Sequence, residues 1–240
     1  PICEYNPIEA VRTNIDGAIN VIDAAIESGV ERAINVSTDK AVYPVNLYGA
    51  TKMVAEKIFV QGNSYRGTKN VLFSCVRYGN VIASTGSVIP LFEEQKKNGE
   101  LTITDENMTR FWITLDQGVR FVIRSLKAMK GGEIFVPKIP SMKVIDLAEV
   151  IAPGVKRNIV GIRPGEKIHE VLITKEEARH AKELEDCFVI EPEHPFWTKD
   201  FSKEGKPLSP DFYYASNTNK DWLTVEQLKE IVDGFKIIEA

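Results

Sequence analysis

Apolar residues recur at Ile8, Val11, Ile15, Ala18, Ile19, Ile22, Ala25 and Ile26, a spacing of three and four that lines one stripe of a helix. Asn6 suits the N-cap, Pro7 the first helical position, and Glu9 is placed to reach back to the cap. Gly29 ends the stripe. Arg32-Ala-Ile-Asn-Val-Ser37 follows as a short strand of buried type. A polar stretch from Thr38 to Asn46 leads into a second helix carrying Met53, Val54 and Ile58, and Val71-Leu-Phe-Ser-Cys-Val76 reads as another buried strand. Helix, strand, helix, strand implies parallel strands joined by right-handed crossovers. Ligands of open α/β sheets bind at the carboxyl ends of the strands. The polar clusters Ser37 to Lys40 and Arg77 to Asn80 both follow directly on strands.

Beyond residue 85 the pattern loosens. It predicts a helix over Ser87 to Lys97, a strand over Leu101 to Thr104, a helix over Leu115 to Lys127 and a strand over Glu133 to Val136. Short elements rich in Pro and charge come next, and residues 191–215 read as an ordered long loop. An amphipathic helix from Val225 to Phe235 closes the pattern, with Thr224 as N-cap and Gln227 three residues on. No internal repeat or low-complexity tract interrupts it.

Composition narrows the function classes. With 43% hydrophobic and 27% charged residues among 240, the chain has the make-up of an ordinary globular protein. A net charge of −4 argues against a general nucleic-acid binder. No apolar run approaches the roughly 18 residues of a membrane span. The start, Pro1-Ile-Cys-Glu-Tyr5, has no initiator Met and none of the regions of a signal peptide, and is expected to be an interior position of a longer protein. Cys3, Cys75 and Cys187 are odd in number and far apart, which suits reduced thiols and a cytoplasmic location. His169, His180 and His194 share no ligand spacing, so no metal site is expected.

Candidate chemistry centres on Tyr48 and Lys52, four apart at a helix start and so on one face. A cation near a phenol favours phenolate, a base able to take an alcohol proton as hydride leaves the carbinol carbon. The same spacing also describes an ordinary surface pair, and alone it does not separate the two readings.

The surrounding residues do. Thr38 lies at the end of the strand before the Tyr helix, and Arg77-Tyr-Gly-Asn80 at the end of the next strand. This order resembles the extended short-chain dehydrogenase/reductase superfamily. Ser37-Thr-Asp-Lys-Ala41, Asn46-Leu-Tyr-Gly-Ala-Thr-Lys52 and Val76-Arg-Tyr-Gly-Asn-Val81 are similar, more narrowly, to the inverting UDP-N-acetylglucosamine 4,6-dehydratases. The likeness continues through Gly86 to Phe92, Thr104 to Trp112, Arg163-Pro-Gly-Glu-Lys167 and Asp221-Trp-Leu223, and so covers essentially the whole chain. Related retaining, membrane-anchored dehydratases typically carry Met where Tyr48 stands.

The resemblance implies a hydro-lyase with Thr38, Asp39, Lys40, Tyr48 and Lys52 as catalytic residues. Tyr48 takes the proton of the sugar 4-hydroxyl as hydride leaves carbon 4. The ketone acidifies carbon 5, Lys40 removes that proton, and Asp39 protonates the departing 6-hydroxyl. Hydride then returns to carbon 6, and reprotonation on the opposite face inverts carbon 5. This needs a neutral Lys40 beside a protonated Asp39, a coupled pair whose protons are not assigned singly. The implied cofactor is NADP, with NAD as the alternative, held by Asn14, Tyr48, Lys52, Tyr78, Gly79 and Val81. The UDP-sugar is expected on Thr38, Asp39, Asn80, Arg110, Arg163 and Glu166. Guanidinium forks suit a diphosphate, an amide orients a sugar and a carboxylate accepts from ribose hydroxyls.

The implied fold is α/β: a partial Rossmann-type, doubly wound parallel sheet with a smaller mixed α/β lobe that binds substrate. Residues 1–85 and 112–137 are assigned to the dinucleotide-binding domain, and 86–111 and 138–240 to the nucleotide-sugar lobe. No Gly-x-Gly-x-x-Gly occurs, although such a fold carries it on its first strand–helix turn. The chain begins at the helix after the fourth strand of that fold, so about ninety residues are expected to precede Pro1. If the 240 residues are the whole polypeptide, half of a doubly wound sheet is left with a bare edge, and poor stability and no catalysis are expected. The family also implies a homo-oligomer and the first step of pseudaminic acid-type sugar synthesis for flagellin or surface polysaccharide. The alternatives are a retaining dehydratase or epimerase of the same superfamily, or a non-catalytic relative that binds nucleotide sugar or cofactor.

Overall fold

The computed structural model describes residues 2–82, 88–193 and 204–239, with two compact units. Unit 1 comprises Pro1–Tyr78, Asp116–Lys138 and Val171–Tyr214; unit 2 comprises Gly79–Leu115, Ile139–Glu170 and Ala215–Ala240. Gly86, Ser87 and His194 lie outside the described residues.

Unit 1 is built on a six-stranded sheet. Arg32–Thr38 pairs in parallel with Leu72–Tyr78 over seven positions, from Arg32 opposite Leu72 to Thr38 opposite Tyr78. Leu72–Tyr78 pairs in parallel with Ile134–Pro137. The predicted parallel core is therefore present, at the predicted strands. Three antiparallel strands extend it: Cys187–Ile190, Ala181–Glu183 and Lys206–Pro207. This extension places Val171–Tyr214 with unit 1, whereas the sequence boundaries assign all of 138–240 to the other lobe. Hydrophobic periodicity carries no information about which sheet a short strand joins, because that pairing is made through the backbone. The expected long loop of 191–215 contains two short strands, Lys206–Pro207 and Tyr214–Ala215, and residues 194–203 of it lie outside the described residues.

Leu72–Tyr78 reads as a continuous apolar run because both of its faces are covered. Phe73 meets Phe59 of the Leu47–Tyr65 helix edge to face, with ring centroids 5.7 Å apart. On the other face Val76 clusters with Phe121 of the Leu115–Ala128 helix, Met129, Phe135 and Cys187. Gly62 allows the first packing: a Cβ there would stand 3.2 Å from Phe73 and 3.3 Å from Ile22.

The first predicted helix is broken into Ile2–Tyr5, Pro7–Val11, a π-helical turn at Arg12–Asp16, and Gly17–Glu27. Gly29, at φ 71°, ends it as expected. The predicted capping box does not form. Asn6 Nδ2 donates to Ile2 O at 3.1 Å and Glu9 pairs with Arg12 at 3.2 Å, because a helical turn already precedes Asn6. Ala18, Ile22 and Ala25 of the stripe are buried, while Ile8, Val11 and Ile19 are exposed.

Unit 2 holds a three-stranded sheet in the order Asn80–Val81, Thr109–Ile113, Ser141–Lys143, and a parallel pair of Glu100–Ile103 with Lys156–Ile159. Helices Val88–Lys97, Val144–Ile151 and Val225–Glu239 enclose a core that includes Phe92, Leu101, Trp112, Leu147 and Leu228. The predicted Thr224 cap is formed: Thr224 N donates to Gln227 Oε1 at 2.8 Å and Gln227 N to Thr224 Oγ1 at 3.3 Å.

Candidate active site

Thr38 ends its strand in extended conformation and caps the single turn Asp39–Ala41, its Oγ1 accepting from Lys40 N at 3.4 Å. Its hydroxyl donates to Asp39 Oδ1 at 2.9 Å, and Lys40 Nζ donates to the same oxygen at 3.1 Å. The Asp39 side chain is fully buried, while that of Lys40 remains 36% exposed. A carboxylate and an ammonium thus sit together at the carboxyl end of a parallel strand, one sealed and one open.

The Leu47–Tyr65 helix brings the phenol to this turn. Asn46 caps it by accepting from Gly49 N at 2.7 Å, and Glu4 Oε1 accepts from Leu47 N at 2.5 Å. Tyr48, in the first turn, is 37% exposed. Burial raises its pKa, the Lys40 charge lowers it, and Asp39 and Cys3 raise it again; the net direction is up. Lys52 therefore does not supply the expected depression of the phenol. Its Nζ donates to Val36 O at 2.8 Å, and burial lowers its own pKa. The ammonium is turned to the strand, so the cation acting on Tyr48 is Lys40.

Gly49 sets how closely helix and turn approach. A Cβ there would stand 2.2 Å from Lys40 O and 3.1 Å from Pro44 Cβ. Alanine is the better helix former by about 1 kcal/mol, but a backbone carbonyl cannot rotate out of the way. Overpacking, at about 1–3 kcal/mol, outweighs propensity. Gly49→Ala is expected to lower the unfolding midpoint and to reduce kcat about a hundredfold by shifting Tyr48 relative to Lys40. Calorimetry and initial rates check it, and wild-type kcat in a folded variant would refute the spacing argument.

Asn14 lies in the π-helical turn, where its Nδ2 donates to Thr51 Oγ1 at 2.9 Å; Thr51 in turn donates to Tyr48 O at 2.9 Å. Asn14 thus braces the Tyr48 helix. Tyr78 ends its strand with a phenol whose pKa burial raises, and Gly79 and Val81 follow it in the chain. Gly49 and Thr51 stand in the Asn46–Lys52 motif, but the motif by itself gives neither a role. A glycine in the first turn of an otherwise well-formed helix is the one signal that could have found Gly49.

In unit 2, Asn80 pairs with Trp112, and its Oδ1 is buried with no hydrogen-bond partner among the described residues. Arg163-Pro-Gly-Glu166 forms a turn in which Glu166 N donates to Arg163 O at 3.1 Å and Gly165 takes φ 81°. Arg163 and Glu166 are thereby brought together, 3.8 Å apart, and Glu166 Oε2 is buried without a partner among the described residues. Arg110 is held by protein acceptors: its Nη1 donates to Thr109 O at 2.7 Å and Ile168 O at 3.0 Å, and its Nε lies 3.8 Å from Glu170 Oε1.

Comparison with known proteins places this geometry. Residues 1–192 match the family described as polysaccharide biosynthesis protein. A UDP-N-acetylglucosamine 4,6-dehydratase (inverting) of Campylobacter jejuni is 47% identical over 242 residues, a match spanning 97% of this chain and 72% of that protein. A UDP-glucose 4-epimerase of Rickettsia canadensis is 40% identical over 240 residues, spanning 97% of this chain and 70% of that protein. The X-ray structure of Pen from Bacillus thuringiensis superposes with a TM-score of 0.87 at 39% identity, covering 98% of this chain and 72% of its own. The chain belongs to the polysaccharide biosynthesis protein family, as a relative of the inverting UDP-N-acetylglucosamine 4,6-dehydratases.

Proposed function

We propose that this protein is an inverting UDP-N-acetylglucosamine 4,6-dehydratase, a hydro-lyase. The observation that carries the reading is the buried Asp39 and open Lys40 joined at 3.1 Å on the turn against which the Tyr48 helix packs. Oxidation at an alcohol carbon requires only a base such as Tyr48. Elimination of water requires in addition a base for carbon 5 and an acid for the leaving oxygen, and the Asp39–Lys40 pair is the group that offers both.

Tyr48 takes the 4-hydroxyl proton, and Thr38 orients that hydroxyl. In the reacting complex the proton of the pair passes from Lys40 Nζ to Asp39 Oδ1, 3.1 Å away. The neutral amine of Lys40, the exposed member, then takes the carbon 5 proton, and Asp39 gives its proton to the departing 6-hydroxyl, which leaves as water. A nicotinamide held beside Tyr48 and Lys52 would supply the hydride chemistry, as acceptor for carbon 4 and donor for carbon 6. The donor set suits one: Lys52 uses one of its three N–H groups on Val36 O and has two left for ribose hydroxyls. Tyr48, Asn14, Tyr78, Gly79 and Val81 complete that set. We take the cofactor to be NADP from the family resemblance. Asn80 and Glu166 each offer a buried acceptor to a sugar or ribose hydroxyl, and Arg110 and Arg163 supply positive charge for the diphosphate. The same resemblance supports a cytoplasmic homo-oligomer that begins pseudaminic acid-type sugar synthesis. Among the described residues no helix is long and apolar enough to cross a membrane.

The test is incubation of the protein, in its full encoded length, with UDP-N-acetylglucosamine, followed by NMR of the product. A 4-keto-6-deoxy sugar inverted at carbon 5 is expected. Retention at carbon 5 would assign the protein to the retaining dehydratases. A product changed only at carbon 4 would make it an epimerase.

A further inference from the structure

The helical turn Lys175–Ala178 lies far along the chain from the catalytic residues, yet it grips both elements that carry them. Glu176 Oε2 accepts from the Tyr43 hydroxyl at 2.7 Å. Tyr43 sits between Lys40 and Tyr48 in the chain, at φ 45°, a left-handed conformation that a bulky L-residue keeps only when its surroundings hold it there. The bond marks both partners: with the Glu176 hydrogen bond as first cause, the phenol pKa is raised, and with the Tyr43 bond as first cause, the carboxyl pKa is lowered.

The adjacent Glu177 holds the other element. Its two oxygens accept from Arg77 Nη1 at 3.0 Å and Nη2 at 2.8 Å. Arg77 passes the grip on to Glu56, with Nε 3.1 Å from Oε2. Glu56 is one turn beyond Lys52 on the helix that carries Tyr48. The turn itself is made rigid by a capping box, with Glu177 N donating to Thr174 Oγ1 at 3.2 Å and Thr174 N to Glu177 Oε2 at 3.1 Å.

We propose that Glu176 and Glu177 form a positioning strap: Glu176, through Tyr43, fixes the turn bearing Asp39 and Lys40, and Glu177, through Arg77 and Glu56, fixes the helix bearing Tyr48 and Lys52. The strap rests on the reading of those four residues as the reacting groups. Arg77 and Glu56 are buried and their loss threatens the fold, whereas Tyr43 is 52% exposed, so its hydroxyl is the arm to remove.

Tyr43→Phe and Glu176→Ala are expected to lower kcat about fivefold, the weight of one hydrogen bond, with KM for UDP-N-acetylglucosamine and the unfolding midpoint close to wild type. Glu176→Gln keeps an acceptor and retains activity. Hydrogen exchange of the Val42 amide, which donates to Asp39 O at 3.2 Å, is expected to quicken by a similar factor in Tyr43→Phe. The double variant should be no worse than either single one. Unchanged exchange at Val42 overturns the strap, as does quickened exchange with unchanged kcat. If the wild-type protein gives no product from UDP-N-acetylglucosamine, the functional reading fails while the exchange comparison still decides whether Tyr43 holds the turn.

Discussion

Tyr48→Phe is expected to lower kcat by about 10²–10⁴-fold, the usual contribution of a positioned general base, while UDP-N-acetylglucosamine binds within a few-fold of wild type. Among the described residues the phenol hydroxyl has no hydrogen-bond partner, so its removal leaves the fold intact. Initial rates and calorimetric binding on the same preparation separate the effects, and equal losses in both would show a binding role instead. The direction of the pKa adds a second reading. Burial raises the phenol above its ordinary value and Lys40 partly offsets that rise. A base is active when deprotonated, so the rate climbs with pH and the climb lies on the alkaline side. Lys40→Met removes the offsetting cation, and the Tyr48 tyrosinate absorbance, taken by difference against Tyr48→Phe, should then appear at still higher pH.

Glu56→Ala is expected to destabilise unit 1 by about 3–5 kcal/mol, the cost of leaving one partner of a buried ion pair behind. Arg77 is 2% and Glu56 1% exposed, and Arg77 Nη2 reaches Glu56 Oε1 at 2.5 Å. Burial works against the guanidinium charge, and Glu56 and Glu177 more than restore it. Removing Glu56 leaves Glu177 as its one remaining carboxylate among these contacts, so the loss should fall toward the lower figure. Urea unfolding measures it; a change within about 0.5 kcal/mol, typical of a surface substitution, would refute the account. Acid should weaken the same network. Burial raises the Glu177 pKa, but the Arg77 charge and the hydrogen bonds lower it by more, and the net direction is down. Its contribution is complete above the unfolded-chain value of about 4.3 and disappears as pH falls through the depressed native one.

Much of this was readable from the chain. The alternation of a 3.6-residue apolar stripe with short buried runs located the strands Arg32–Thr38, Leu72–Tyr78 and Ile134–Pro137 to within a residue or two, and their parallel pairing followed from the intervening helices. The polar turn after Arg32–Thr38 and the start of the helix that carries Tyr48 were legible because strand ends and helix starts are local events, set by neighbours in sequence. The roles given to Thr38, Asp39, Lys40 and Tyr48 are what the family resemblance implies. The Arg163–Glu166 turn is local in the same sense, closed by atoms three residues apart, and so is the Asn46 cap, although the polar pattern marks Asn46 only as the end of a polar stretch.

Other features depend on approach between distant segments, and no spacing encodes that. The antiparallel strands added by 181–207 pair through backbone groups that every residue carries. The direction of the Tyr48 pKa reverses the simple expectation because burial, a tertiary quantity, outweighs a cation whose position was inferred from helix geometry. Lys52 is four residues from Tyr48, yet its ammonium goes to Val36 O. The sequence by itself determined the parallel strands and the polar turns at their carboxyl ends, since local spacing suffices for that, while the acid, base and phosphate-binding roles are what the family resemblance implies. Only the tertiary structure decided which cation faces the phenol, why Gly49 admits no side chain, and how Glu176 and Glu177 hold a turn and a helix more than a hundred residues earlier. Those outcomes rest on distances of a few ångströms between segments that the chain order leaves free.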